Sequence, residues 1–196
     1  ITLVTGAAGL LGKAHCEALL EAGSIVIATD IDTSIFNESK FVELPKVHSD
    51  HLIFKKLDVT QKECCTELNH QLKKDNLIVT TLINNATINP SVNSDGLKNL
   101  GRLEDFSADL FEKEVAVGLT GAINCASVFG TEMAANGYGN ILNIASDLAV
   151  IAPSQFLYTS GQETENTSAK KPMSYSSIKH GLIGVTKYLA TYFEGA

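Results

Sequence analysis

Thr5-Gly6-Ala7-Ala8-Gly9-Leu10-Leu11-Gly12 follows a strand-like run, Ile1 to Thr5, and opens a helical pattern. Glycines at these places let the backbone turn tightly, approach a pyrophosphate and pack helix closely on strand. The helix N-terminus then favours negative charge. A glycine-rich turn that serves packing alone is the competing reading. The strand before it and the helix after it weigh for the phosphate.

The rest of the chain repeats this strand-then-helix order. Strand-like runs fall at Ile1–Thr5, Ser24–Thr29, Leu52–Leu57, Val79–Asn84 and Gly139–Ala145, with helical patterns near 10–22, 60–75, 107–136 and 175–193. In the last helix Ile178, Leu182, Val185, Leu189 and Tyr192 follow a 3.6-residue period. The run Ser24-Ile25-Val26-Ile27-Ala28 is continuously apolar, as expected of a strand covered on both faces. The expected fold class is α/β: a three-layer, doubly wound Rossmann arrangement on a parallel sheet. Residues 1–196 form a single domain in this reading. The chain starts without Met and ends just after its last helix, so it is expected to be part of a longer protein that supplies the last one or two strands.

Two stretches break the rhythm. Residues 86–106 and 152–174 are long polar loops, and loops of that length are usually functional or disordered. In a doubly wound sheet both leave the carboxyl ends of strands, where ligands bind.

Composition narrows the partners. The 196 residues carry a net charge of −7, with 44% hydrophobic and 19% charged residues, an ordinary globular balance. Acidity argues against nucleic acid or an anionic membrane as partner. No apolar run approaches the ~18 residues of a membrane span, and no signal peptide is expected, since the sequence opens on a strand-like run. The four cysteines, at 16, 64, 65 and 125, lack metal-ligand spacing and fit a reduced, cytoplasmic compartment. His48 and His51 lack a third ligand, so no metal is expected.

Asp30 ends the second strand 18 residues past Gly12, where a carboxylate accepts from ribose hydroxyls and repels a 2′-phosphate. No arginine lies nearby to receive that phosphate, which favours NAD over NADP. Asp32 is a rival, and either acid could be an exposed loop residue. Asp58, at the end of the third strand, could bond an adenine amino group or cap the next helix, with Thr60 an equal capping candidate. Asn84-Asn85-Ala86 ends the fourth strand, as ribose neighbours or as turn formers. Ser146 ends the fifth, where its hydroxyl could meet a substrate carbonyl. A serine nucleophile would need a Gly-x-Ser-x-Gly elbow, which is absent, and a turn or cap role is the alternative. Tyr175 and Lys179, four apart, share one helix face if the segment is helical. An ammonium beside a phenol favours the phenolate, and such a tyrosine can pass a proton to or from a substrate oxygen.

In this order and at these strand ends, the motifs resemble the short-chain dehydrogenase/reductase family over essentially the whole chain. The resemblance implies hydride transfer between a nicotinamide and a hydroxyl or keto carbon. It makes Tyr175 the acid/base, Lys179 its cation and ribose ligand, and Ser146 the group that orients the substrate oxygen. It implies cofactor contacts from Gly6, Gly9, Leu10, Leu11, Gly12, Asp30, Ile31, Asp58, Val59, Asn85, Ala86, Tyr175 and Lys179. Pairing through the helices near 107–136 and 175–193, into a homodimer or homotetramer, is also implied. Gly6-x-x-Gly9-x-x-Gly12 spacing, the 86–106 insertion and the 29-residue interval from Ser146 to Tyr175 are similar to a compact subgroup linked to surface-polysaccharide and nonulosonic-sugar biosynthesis.

One position departs from the family. Val117-Gly118-Leu119-Thr120-Gly121 carries Gly118 where an asparagine commonly holds a water that links the lysine to solvent. Thr87 replaces a common glycine after Asn85-Ala86. The substrate expectation is a sugar or activated sugar, from loop groups such as Asn89, Ser91, Gln155, Tyr158 and Gln162. The alternatives are an acyl or small-ketone reductase, and a dinucleotide-binding sensor or structural subunit with weak catalysis.

Overall fold

A computed structural model describes residues 1–37, 50–88, 101–158 and 169–195. His48, Asn89, Ser91 and Gln162 lie outside these residues. The elements run β1 (Thr2–Thr5), α1 (Leu10–Glu21), β2 (Val26–Asp30), β3 (Leu52–Lys56), α2 (Lys62–Lys74) and β4 (Thr81–Asn84). There follow a continuous helical stretch α3 over residues 108–135, then β5 (Asn140–Asn143) and α4 (Met173–Tyr192). Each lies within about two residues of its expected range, and α4 starts early because Pro172 sits at its N-cap with φ −58°.

The five strands are parallel in the order β3-β2-β1-β4-β5. Val4 stands level with Ala28 on one side and Ile83 on the other. Strand order reverses beside β1, so a crevice opens between the carboxyl ends of β1 and β4.

Strand alternation sends side chains into two cores. Leu3, Ile27 and Leu82 pack with Leu68 and Leu72 of α2 and Cys125 and Phe129 of α3. Val4, Ala28 and Ile83 pack with Cys16 and Leu20 of α1 on the other face. Leu3, Ile27 and Leu82 are fully buried, and each such side chain contributes roughly 1.5–3 kcal/mol. That is the expected doubly wound α/β sandwich.

Helix α3 is not uniform. Two π segments, Ala116–Thr120 and Ala126–Gly130, interrupt its α-helical turns. Such widened turns gather at functional sites, and the first contains Gly118. Among the described residues, no helix is long and apolar enough to cross a membrane.

Candidate active site

The glycine turn is built by close contacts. Gly6 adopts φ +61°, and a Cβ there would stand 2.7 Å from Ala86 Cα at the end of β4. A Cβ on Gly12 would run into the Gly6 carbonyl oxygen and Ala7. Only glycine lets α1 descend this far onto the turn. Gly9 is the N-cap of α1, and Leu10 and Leu11 beyond it are exposed. The result is an open shelf at a helix N-terminus, shaped to receive an anion.

Asp30 closes the far side of the shelf. Its Oδ2 accepts the Ala8 N–H at 3.1 Å and its Oδ1 the Asp32 N–H at 3.4 Å. The rival, Asp32, is occupied locally: Oδ1 accepts the Ser34 hydroxyl at 2.6 Å and the Ser34 N–H at 2.9 Å. These bonds hold its carboxyl below the usual range. Ile31 is exposed beside them.

Three expected cofactor residues have other contacts. Asp58 lies past the end of β3 and caps no helix, since Gln61 holds that place and Thr60 does not. Its Oδ1 instead accepts the Thr60 hydroxyl at 2.7 Å and N–H at 2.9 Å, a local turn. The Val59 side chain belongs to the core, where it meets the space above Gly121. Asn85 turns its amide inward, donating to Thr5 O at 3.1 Å and Gly6 O at 2.9 Å. Asn84 likewise donates to Asn143 Oδ1 at 2.8 Å. Asn124 of α3, not foreseen in the sequence, donates to Val59 O at 3.0 Å and fixes the turn before α2.

The second half of the crevice lies beyond β5. Ser146 is past the strand rather than at its end, and caps the short turn Asp147–Ala149 by accepting the Leu148 N–H at 3.2 Å. Its hydroxyl and Asp147 Oδ1 are 2.8 Å apart, a bond that holds the Asp147 carboxyl below its usual range. Tyr175 and Lys179 share the α4 face as the four-residue spacing requires. Lys179 is buried, donates from Nζ to Ile144 O at 2.6 Å, and stands 5.6 Å from the Tyr175 ring centroid. Burial lowers its pKa, and the nearby charge of Lys171 lowers it further.

Around this pair stand groups that sequence reading left out. Lys171 is only 9% exposed, and its Nζ lies 3.7 Å from the Tyr175 ring centroid. Glu114 of α3, 4% exposed, raises the pKa that burial lowers on Lys171. A cavity of about 430 Å³ opens behind them, between the start of α3 and the start of α4, with Phe111, Gln155 and Ser174 also in its wall. In the short turn Gln155–Tyr158, Tyr158 has its pKa raised by burial and then by Tyr175 and Asp147.

Residues 1–194 match the family model described as short chain dehydrogenase. The chain belongs to the short-chain dehydrogenase family. It is 26% identical to an NAD-dependent glycerol dehydrogenase of Listeria innocua over 97% of this chain and 63% of that protein. It is 28% identical to a post-translational flagellin modification protein A of Campylobacter coli, over 97% of this chain and 70% of that one. A solved NAD+-bound xylitol dehydrogenase superposes with a TM-score of 0.78 at 22% identity, over 98% of this chain and 64% of that chain. The chain spans 63% of the length of the first curated relatives it matches.

Within the short-chain dehydrogenase fold, Gly118 has a visible consequence. A Cβ there would lie 2.9 Å from Ile178 Cγ2, so the place of a longer side chain is filled by Ile178. Gln155, expected to face substrate, instead accepts the Lys171 N–H at 2.8 Å through Oε1. The described lip of the crevice includes exposed Val150, Ile151, Phe156 and Leu157, so it is more apolar than the loop composition suggested. Among the described residues, no three His, Cys, Asp or Glu side chains stand together as a metal set.

Proposed function

We propose that the protein is an NAD-dependent oxidoreductase acting on a hydroxyl or keto carbon of a polar substrate, a polyol, sugar or activated sugar. The observation that carries this reading is buried Lys179, 5.6 Å from the Tyr175 ring and bonded to Ile144 O just past β5, at the same sheet end as the glycine shelf. The shelf fits a dinucleotide, because Gly6 and Gly12 let α1 pack down onto the turn and leave its N-terminus open at Gly9, Leu10 and Leu11. Gly9, Leu10 and Leu11 would hold the pyrophosphate and Asp30 the adenosine ribose. Bound there, the nicotinamide supplies the hydride chemistry.

In this reading the side chains handle the proton. Tyr175 exchanges it with the substrate oxygen, Lys179 supplies positive charge beside the phenol, and Ser146 orients the oxygen. Ser146 must exchange its Asp147 contact for the substrate to do so. The flagellin-modification relative supports the surface-polysaccharide subgroup, and the glycerol dehydrogenase supports a polyol-like substrate. Exposed Ile123 on α3 and Tyr188 and Tyr192 on α4 give the apolar surface that subunit pairing would cover.

A second reading, reduction of an acyl or small-ketone substrate, is favoured by the apolar lip at Val150, Ile151, Phe156 and Leu157. One experiment separates the two. Purified protein is assayed with NAD and with NADP against glycerol, xylitol and sugars, and with the reduced cofactors against acyl thioesters and small ketones. Turnover of polyols or sugars with NAD is expected, and turnover of thioesters or ketones alone overturns the substrate claim. Tyr175→Phe should lower the rate by about 10²-fold or more while NAD still binds.

A further inference from the structure

We propose that Lys171 is a positioning residue that shares Tyr175 with Lys179. Its ammonium, held over the ring with the help of Glu114, stabilises the phenolate form. This rests on the reading of Tyr175 as the acid/base.

The arrangement is built rather than incidental. Lys171 precedes α4, where the chain turns through Pro172, and Gln155 clamps its backbone from a different segment. Oε1 of Gln155 accepts the Lys171 N–H at 2.8 Å, and Nε2 donates to the Lys171 carbonyl at 3.4 Å. The clamp fixes where the side chain starts, and the side chain then runs inward. A lysine this deeply buried is rare unless a charge balances it. Glu114 fits that need: it is buried on α3 and acts on Lys171 electrostatically. One to three turns further on, the same stripe of α3 carries Gly118, Gly121, Ala122 and Cys125, all buried and without charge. A carboxylate on that stripe stands out, and its charge favours the ammonium form of Lys171.

A cation within about 6 Å of a ring face is attracted to the neutral phenol, and more strongly to the anion. Lys179 at 5.6 Å and Lys171 at 3.7 Å bring two ammonium groups within reach of the ring. Among the described residues, Tyr158 interacts electrostatically with Tyr175, and Asp147 in turn acts on Tyr158. At Gly118 no side chain can hold the water usual in this family. A charge on the ring face stabilises the phenolate without needing that water.

The test needs no substrate. Tyrosinate absorbance is followed against pH in the protein and in Tyr175→Phe, and the difference isolates the signal from residue 175. Removing the charge in Lys171→Met should move that signal to higher pH, because an adjacent positive charge favours the anion. Lys171→Arg should leave it close to its original position. Lys171→Gln, which is polar but neutral, should follow the Met variant and guards against a folding defect in it. A signal that stays in place in either folded neutral variant overturns the role of Lys171, whatever becomes of the enzyme reading. Substantial turnover by Tyr175→Phe, in contrast, overturns the acid/base reading and leaves the absorbance result standing.

In the rate profile, Lys171→Met should shift both limbs upward. The acid limb moves because the phenolate is harder to form, and the alkaline limb because Lys179 loses a like-charged neighbour. Lower activity with both limbs in place marks a structural lesion instead, and counts against the proposal.

Discussion

Asn85 donates its side-chain amide to the Gly6 carbonyl at 2.9 Å, tying the end of β4 to the turn after β1. The same amide reaches Thr5 O, and the Asn85 and Ala86 N–H groups both donate to Thr5 Oγ1 at 3.1 Å. The glycine shelf is therefore held from below by the neighbouring strand. Asn85→Ala leaves two carbonyls without this donor, at about 1 kcal/mol for each lost bond. The expected outcome is a lower melting temperature together with weaker NAD binding by calorimetry. Unchanged NAD affinity in a folded variant would show that the shelf needs no such support.

Restoring an asparagine in α3 should not restore a relay. In Gly118→Asn the new Cβ meets Ile178 Cγ2 at 2.9 Å, and overpacking of this kind costs typically 1–3 kcal/mol. Thermal unfolding should show the loss, and Ile178→Val in the same background should recover part of it. Full stability of the single variant would mean that Ile178 yields freely.

Acid should remove one identifiable contribution. Lys73 donates to both carboxylate oxygens of Glu132 at 3.0 Å, joining α2 to α3 and holding that carboxyl below its ordinary 4.5. A carboxyl depressed in the folded state stabilises above its unfolded pKa, and the contribution disappears as pH falls through the folded value. Both groups are partly exposed, so the effect is at most about 1 kcal/mol. Glu132→Gln should therefore melt slightly lower than the unmodified protein at pH 7. The two melting temperatures should converge in acid.

Thiol chemistry gives a fourth check. Cys64 is exposed, while Cys16, Cys65 and Cys125 are buried. Burial pushes the Cys16 thiol up to about 12, and contact with Cys65 at 3.7 Å, together with burial, keeps Cys125 protonated. A thiol reagent should label Cys64 quickly in the native protein and the other three only on unfolding. Fast native labelling of Cys16 would contradict the packing of α1.

The sheet was legible in the sequence because buried parallel strands leave continuous apolar runs, as in Val26-Ile27-Ala28. Tyr175 and Lys179 were legible because helical spacing alone puts them on one face. Side-chain direction in turns was not. Asp58 and Thr60 look like a helix start, but their bond to each other turns the chain before α2 begins. Val59 adjoins a site motif yet points into the core. Lys171 stands four residues before Tyr175, the mirror of the Lys179 spacing, and Glu114 lies one helical turn before Gly118. Both signals were present, but each needed the other, from a distant helix, to acquire meaning. Loop composition misled for a different reason: a polar sequence still exposed Phe156 and Leu157 at the lip.

The clasp between Thr5, Gly6, Asn85 and Ala86 joins residues about 80 positions apart. The glycine motif can thus be complete in the growing chain while its working shape is not. Contacts of such long separation form only after the intervening chain has been closed into a loop. During synthesis, β4 must emerge and dock beside β1 before the turn acquires its clasp. If the turn holds the cofactor as proposed, cofactor affinity measured during refolding should report the arrival of the fourth strand rather than the formation of the first βα unit.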